Sequence, residues 1–109
     1  MNHAAIDEVS LALAQEVAAR VRSRPEFLDV ARENLARWSR QNAGSQSLLR
    51  CYAEWEAILT RPVQEICELL LAQTDDAQRL RQNSPFAGVL SPAEVWAIKA
   101  RHRHAKTAA

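Results

Sequence analysis

The spacing of apolar residues predicts helices along most of the chain. Apolar side chains recur every three or four residues, which is the period of a helix with one buried face. We therefore predict a first helix over residues 4–22, a second that follows a break at residues 23–24 and runs to residue 42, and a third over residues 48–59. Their apolar stripes are Ile6, Val9, Leu13, Val17 and Val21, then Phe27 or Leu28, Ala31, Leu35 and Trp38, then Leu48, Tyr52, Trp55 and Leu59.

Local signals predict where these helices begin and end. Ser23 and Glu26 have the spacing of a capping box, so we predict that the chain breaks there and that the second helix follows. Gly44 is expected to stop that helix. Arg61 and Pro62 predict a break before a fourth helix, and a kink inside one long helix is the alternative.

The last third of the chain carries the most specific local signal. Thr74 or Asp75 can cap a short, polar fifth helix. Ser91 and Glu94 form a second capping-box pattern, with Pro92 at the first helical position. The sixth helix is therefore predicted to begin after Ser91.

The segment SPFAGVL at residues 84–90, which we call the connector, is too apolar for a solvated loop. We expect it to be ordered. It is predicted either to cover the helical bundle or to present a hydrophobic patch to a partner. Both alternatives stay open at the level of sequence.

Composition favours an all-α fold with a single core. The chain has 109 residues and only two glycines, and helix-forming residues dominate it. We predict a compact bundle of five to six helices in residues 1–98, the first four forming a bundle and the last two lying across it. A flexible, basic tail is expected in residues 99–109.

No segment of the sequence predicts membrane insertion or secretion. Hydrophobic residues make up 48% of the chain, and its beginning lacks the continuous apolar segment of a signal peptide. We therefore expect a cytoplasmic protein. Cys51 and Cys67 lie in helical apolar patterns without the spacing of a disulfide framework, so we expect them to be reduced residues of the core.

Charge is unevenly distributed, although the formal net charge is only +1. Four basic residues follow the last acidic residue, Glu94, so the preceding part holds ten basic against 13 acidic residues, a net of −3. They are Lys99, Arg101, Arg103 and Lys106. A basic end of this kind can bind an anionic protein surface or attract nucleic acid nonspecifically.

The groups needed for catalysis or metal binding are sparse. The three histidines are all near the ends of the chain, and no third ligand accompanies His102 and His104. The sequence contains no glycine-rich phosphate loop and no nucleophile elbow. We therefore expect no enzymatic activity, no catalytic residues, no metal site and no cofactor.

Three segments together resemble a group of small helical bacterial proteins associated with toxin–antitoxin operons. They are ARENLARW at residues 31–38, EWEAIL at residues 54–59 and LRQNSPFAGVLSPAEVWAI at residues 80–98. The resemblance implies a cytoplasmic antitoxin, a helical protein that binds a toxin encoded nearby and neutralises it. It carries over no catalytic residues.

These features of the sequence together favour the hypothesis of a non-catalytic protein-binding module. Large aromatic residues often dominate binding, and Trp96 is the tryptophan expected to act as an anchor. The predicted partner-binding residues are the apolar Phe86, Val89, Leu90 and Trp96 and the basic Arg79, Arg81, Lys99, Arg101 and Arg103. The alternatives are a DNA-binding transcriptional regulator and a structural bundle that self-associates into a homo-oligomer.

Overall fold

A computed structural model of the protein describes the backbone of residues 3–108 and the side chains of residues 8–103. Within this part, the chain forms six α-helices and no strand, which confirms the all-α prediction. The helices are α1 (His3–Ser23), α2 (Phe27–Gln41), α3 (Gln46–Ile58), α4 (Val63–Leu71), α5 (Asp75–Arg81) and α6 (Pro92–Ala108).

The first helix is the element on which most of the others pack. α1 contacts α4 most extensively, and it also contacts α2, α5 and α6. Two alanines on its buried face, Ala14 and Ala18, let neighbouring helices approach closely. α3 packs mainly against α2. The last two helices therefore share one packed unit with the first four.

The break between the third and fourth helices is confirmed. α3 ends at Ile58 and α4 begins at Val63, so the alternative of a kink in one long helix is wrong. Pro62 has φ −56° and ψ 147° at the position before α4, where its missing N–H leaves no helical hydrogen bond unmade.

The capping box predicted at Ser23 and Glu26 does not form. The Arg24 N–H donates to the Arg20 carbonyl at 2.8 Å, which carries the hydrogen-bonding pattern of α1 past Ser23. Ser23 is therefore the last residue of α1 and not the extended residue that a cap requires. Glu26 precedes α2 in a helical conformation, without a side-chain cap.

The other predicted caps are present. The Ser91 N–H donates to Glu94 Oε1 at 2.8 Å, and the Glu94 N–H donates to Ser91 Oγ at 3.2 Å, which is the reciprocal pair of a capping box. Thr74 Oγ1 accepts from the Ala77 N–H at 3.1 Å and caps α5. Both helices begin where the sequence places them, within a residue or so.

The last helix extends into the segment predicted as a basic tail. α6 continues through residue 108, because the sequence after residue 98 contains no glycine or proline to end it. The boundary predicted at residue 98 is thus not the end of an element. Residue 109 and the side chain of Lys106 lie outside the described part of the protein.

The connector covers the core instead of presenting a hydrophobic patch. Phe86, Val89 and Leu90 are all buried, and the ring of Phe86 meets the ring of Trp55 edge to face at 5.9 Å. Gly88 has φ +96°, a conformation that favours glycine, and it allows the connector to turn there.

The two cysteines are free thiols, but they differ in burial. Cys67 lies in the core, as predicted, and burial raises the pKa of its thiol. Cys51 is only half-buried, at the edge of the core.

None of the helices in residues 3–108 is both long enough and apolar enough to cross a membrane.

An ion pair joins the beginning of α6 to α1. We expect it to make the stability of the fold depend on pH. The guanidinium of Arg20 pairs with the carboxylate of Glu94, and together with the Ser91 N–H it lowers the pKa of Glu94 from 4.5 to about 2. A carboxylate with a lowered pKa stabilises the fold above the ordinary value, and this stabilisation is lost as the pH falls from about 4.5 towards 2.

We expect the substitution Glu94→Gln to reduce the loss of stability in this acidic range. Thermal unfolding of both proteins at pH 7, 4 and 2 measures it. Arg20→Gln removes the partner and should reduce the pH dependence in the same direction. A variant that loses as much stability as the wild type between pH 7 and 2 would contradict the assignment to this pair.

Candidate functional site

The clearest candidate for a binding surface is the outer face of α6, where Trp96 is 62% exposed. Among the described side chains it is the large hydrophobic residue that the fold leaves in solvent. The other tryptophans serve the core: Trp55 is fully buried, and half-buried Trp38 packs against Tyr52 with ring centroids 6.0 Å apart. An indole ring combines a large apolar area with a polar N–H, which is why tryptophan is enriched at binding interfaces.

Basic residues flank Trp96 on the same face. Pro92, Trp96, Lys99 and Arg103 follow one another at spacings of three and four residues, and all four are exposed. We call them the Trp96 stripe. The guanidinium carbon of Arg103 lies 4.7 Å from the centroid of the Trp96 ring, which is a cation–π contact. This contact restrains the exposed ring and places positive charge beside it.

Arg101 is exposed as well, but it is displaced around α6 from the stripe. Positions two residues apart on a helix point in different directions, so Arg101 does not share a face with Lys99 or Arg103. The predicted set of basic residues on α6 is thus divided, with two on the stripe and one beside it.

Three apolar residues predicted to bind a partner are removed from the candidate surface. Phe86, Val89 and Leu90 belong to the buried core, where they contact the chain itself. They are inaccessible to a partner in this conformation because the connector folds inward. The self-association hypothesis used the same apolar segment as an exposed surface, and the fold does not provide that surface there.

Arg81 is likewise a buried residue and not part of a charged rim. Its Nη1 donates to the carbonyl oxygens of Leu70 at 3.0 Å and Ala72 at 2.6 Å. These carbonyls lie at the end of α4, where the helix dipole is negative and a cation is favourable. Arg81 therefore joins α5 to the end of α4.

Arg79 is exposed, but it is engaged by a carboxylate of the same chain. Its two terminal nitrogens each donate to one oxygen of Glu54 at 2.9 Å. This bidentate pair raises the pKa of Arg79 and lowers the pKa of Glu54. Arg79 joins α5 to α3 and does not belong to the Trp96 stripe.

The titratable groups with shifted pKa values are paired across helices or buried in the core. Glu54 and Glu94 are each paired with an arginine on another helix, and Cys67 is a buried thiol whose raised pKa disfavours the nucleophilic thiolate. Among the side chains of residues 8–103, no three histidine, cysteine, aspartate or glutamate residues come together as metal ligands would.

Two polar residues with important contacts were missed by sequence reasoning. Asn34 donates from Nδ2 to the carbonyls of Pro85 and Ala87, both at 2.8 Å, and it is buried. Its position between Ala31 and Leu35 on the apolar face of α2 was the available signal. Arg20 had no comparable signal in the sequence, because its partner Glu94 lies 74 residues away.

No protein-family model, curated protein or solved structure matches this chain.

Proposed function

We propose that this protein is a non-catalytic binding module that recognises another protein through the Trp96 stripe. The observation that carries the proposal is the 62% exposure of Trp96 on a helix whose other large apolar residues pack inward. Leaving an indole ring in water forgoes the free energy of burying it, which is about 1.5–3 kcal/mol for a large apolar side chain. Burial against a partner recovers that free energy.

The charges around Trp96 indicate the kind of surface that it binds. Lys99 and Arg103 lie one and two turns beyond the ring on the same face. An acidic rim around an apolar pocket on the partner is complementary to this arrangement, with the indole as the central anchor and the cations at its edge. The proposed partner is therefore a protein with an acidic, concave surface.

Within this class, we propose an antitoxin-like role as the specific function. The resemblance of three segments of the sequence to proteins of toxin–antitoxin operons supports it, and so does the small helical scaffold. In this role the protein binds a toxin encoded nearby and covers the site through which the toxin acts. The antitoxin needs no catalytic group of its own for this inhibition.

Co-expression with the product of the neighbouring gene tests the proposal. We expect the two proteins to copurify, and Trp96→Ala to weaken the complex at least tenfold, which corresponds to about 1.4 kcal/mol. Affinity is measured by isothermal titration calorimetry. Circular dichroism verifies that the variant keeps its helices, which the exposure of Trp96 predicts.

A pair of charge reversals provides the matched control. Lys99→Glu lies on the stripe, whereas Arg50→Glu changes net charge equally on the exposed side of α3. We expect the first to weaken the complex more than the second, with a larger difference at low salt. Retention of the partner with unchanged affinity by Trp96→Ala and Lys99→Glu would refute the assigned surface.

DNA binding is the alternative function that must be distinguished from binding to the neighbouring protein. Residues 59–62 between α3 and α4 have about the length of a helix-turn-helix turn. However, α4 exposes Glu65 and Glu68, and their carboxylates repel the phosphates of DNA. This pair of helices is therefore poorly suited to bind DNA. Titration of the protein with operator and random DNA at rising salt measures any contribution from α6. Binding to DNA without binding to the neighbouring protein would replace the proposed function.

A further inference from the structure

A cavity of about 220 Å³ lies where α1, α5, the connector and α6 meet. Its walls are mainly apolar, with Leu13 and Val17 from α1, Phe86 and Leu90 from the connector and Val95 from α6. It is distinct from the Trp96 stripe, which lies on the outer face of α6.

The cavity opens to solvent on one side, and most of its lining residues are buried or half-buried. An apolar cavity of about 150 Å³ is enough to bind benzene. Ala87 and Gly88 are exposed and yet line the cavity, so a small molecule has a path to it from solvent.

Water fills such a space poorly. A buried water needs two to four polar partners, and most of this wall offers none. Replacing weakly held water by an apolar group is favourable for binding. The physical chemistry of the walls therefore suits an apolar ligand better than solvent.

Three polar residues line the cavity, Ser10 from α1 and the neighbouring Arg81 and Ser84 before the connector's apolar residues. The Ser84 N–H donates to the Arg81 carbonyl at 3.3 Å, so both residues lie in one turn, and both line the cavity. Ser84 Oγ accepts from the Phe86 N–H at 3.4 Å, and its O–H remains a donor. The guanidinium of Arg81 is a donor only, and its bonds to the end of α4 fix it in place.

From these observations we infer that the cavity is a binding site for a small, mainly apolar molecule with one hydrogen-bond-accepting end. The apolar part has about the size of an aromatic ring, since benzene already fits a smaller cavity. The accepting end, a carboxylate or a hydroxyl, lies toward the Ser84 hydroxyl, on the side where the bonded guanidinium of Arg81 supplies positive charge. The inference is independent of the proposed protein-binding function.

Three probes of the same ring size test the inference on the full chain. Phenylacetate and phenethyl alcohol carry an acceptor, whereas protonated phenethylamine carries only donors and a positive charge. We expect the first two to bind saturably in calorimetry, and phenethylamine to bind at least about tenfold more weakly because it meets donors and a guanidinium. Methyl resonances of Val17, Leu90 and Val95 should shift on binding.

Filling the cavity provides the matched variants. Ala14→Phe projects a ring into the cavity from α1, and Ala19→Phe makes the same change at an exposed position of that helix. We expect at least about a tenfold loss of phenylacetate affinity for the first and no change for the second. If Ala14→Phe does not fold, Val95→Phe fills the cavity from a half-buried position.

Three results would overturn the inference. One is the absence of saturable binding for both phenylacetate and phenethyl alcohol. Another is equal affinity for phenethylamine, which would remove the role of the donors. The third is unchanged affinity in a folded cavity-filling variant, which would place the ligand elsewhere.

Discussion

The substitution Trp55→Ala is expected to lower the free energy of unfolding by about 3–5 kcal/mol. Trp55 is fully buried, its ring packs edge to face against Phe86, and its Nε1 donates to the Leu80 carbonyl at 3.1 Å. Alanine leaves a large cavity and removes the indole hydrogen bond, although the Leu80 carbonyl still accepts from the Asn83 N–H at 3.1 Å. Since small domains are stable by only about 5–15 kcal/mol, much of the stability is lost. Urea denaturation followed by circular dichroism measures the change.

Trp96→Ala is the matched control, because it makes the same chemical change on the surface. It removes an exposed ring and one cation–π contact, so its expected cost is about 1 kcal/mol or less. The two variants thus separate a tryptophan that holds the core from one that is available to a partner. Equal losses of stability in both would contradict this division.

The helices could be predicted from sequence because their signals are local. The period of the apolar residues and the Ser91–Glu94 capping box depend only on neighbours within a turn or two. The same is true of the break before Pro62. Each of these features is present in the structure. The Ser23–Glu26 pattern failed because α1 continued to hydrogen-bond past Ser23, and a local pattern does not exclude that competitor.

The candidate site could be predicted only in part, because exposure is a property of the whole fold. Leu90 and Trp96 are both large and apolar, and nothing within their own segment distinguishes them. The structure buries Leu90 against the core and leaves Trp96 in solvent. Arg81 shows the same limit for charge, since its burial at the end of α4 depends on how α5 is placed. Periodicity identifies a face, but tertiary packing decides which faces are covered.

The beginning of α6 is held in place by the buried connector and by an ion pair to α1. The connector is held inside by its apolar residues, and the ion pair of Arg20 with Glu94 joins the first turn of α6 to α1. A partner bound at Trp96 therefore meets a helix that is fixed at its beginning. Binding to such a prepared surface costs less conformational entropy than ordering a flexible tail.

The substitution Asn34→Leu is expected to lower the free energy of unfolding by about 2–4 kcal/mol and to loosen the connector. The two side chains have the same branching and the same number of heavy atoms, so the change creates no cavity and mainly tests the hydrogen bonds. Without the Asn34 amide, the carbonyls of Pro85 and Ala87 lose their donor inside the protein. Arg37, which donates to Asn34 Oδ1 at 2.6 Å, loses its acceptor as well.

Two measurements and one control distinguish this role of Asn34 from a general effect of mutation. Urea denaturation gives the global loss, and amide hydrogen exchange at Val89, whose N–H donates to the Phe86 carbonyl at 3.1 Å, reports local opening of the connector. Asn42→Leu is the control, since the Trp38 carbonyl that accepts from the Asn42 side chain also accepts from its backbone N–H. The other bond of this side chain, to the Tyr52 hydroxyl at 3.2 Å, is only partly buried, whereas the bond of Asn34 to the Pro85 carbonyl is buried. We expect it to cost less than about 1 kcal/mol. If Asn34→Leu matched that small cost and left exchange at Val89 unchanged, the connector would be held by its apolar side chains alone.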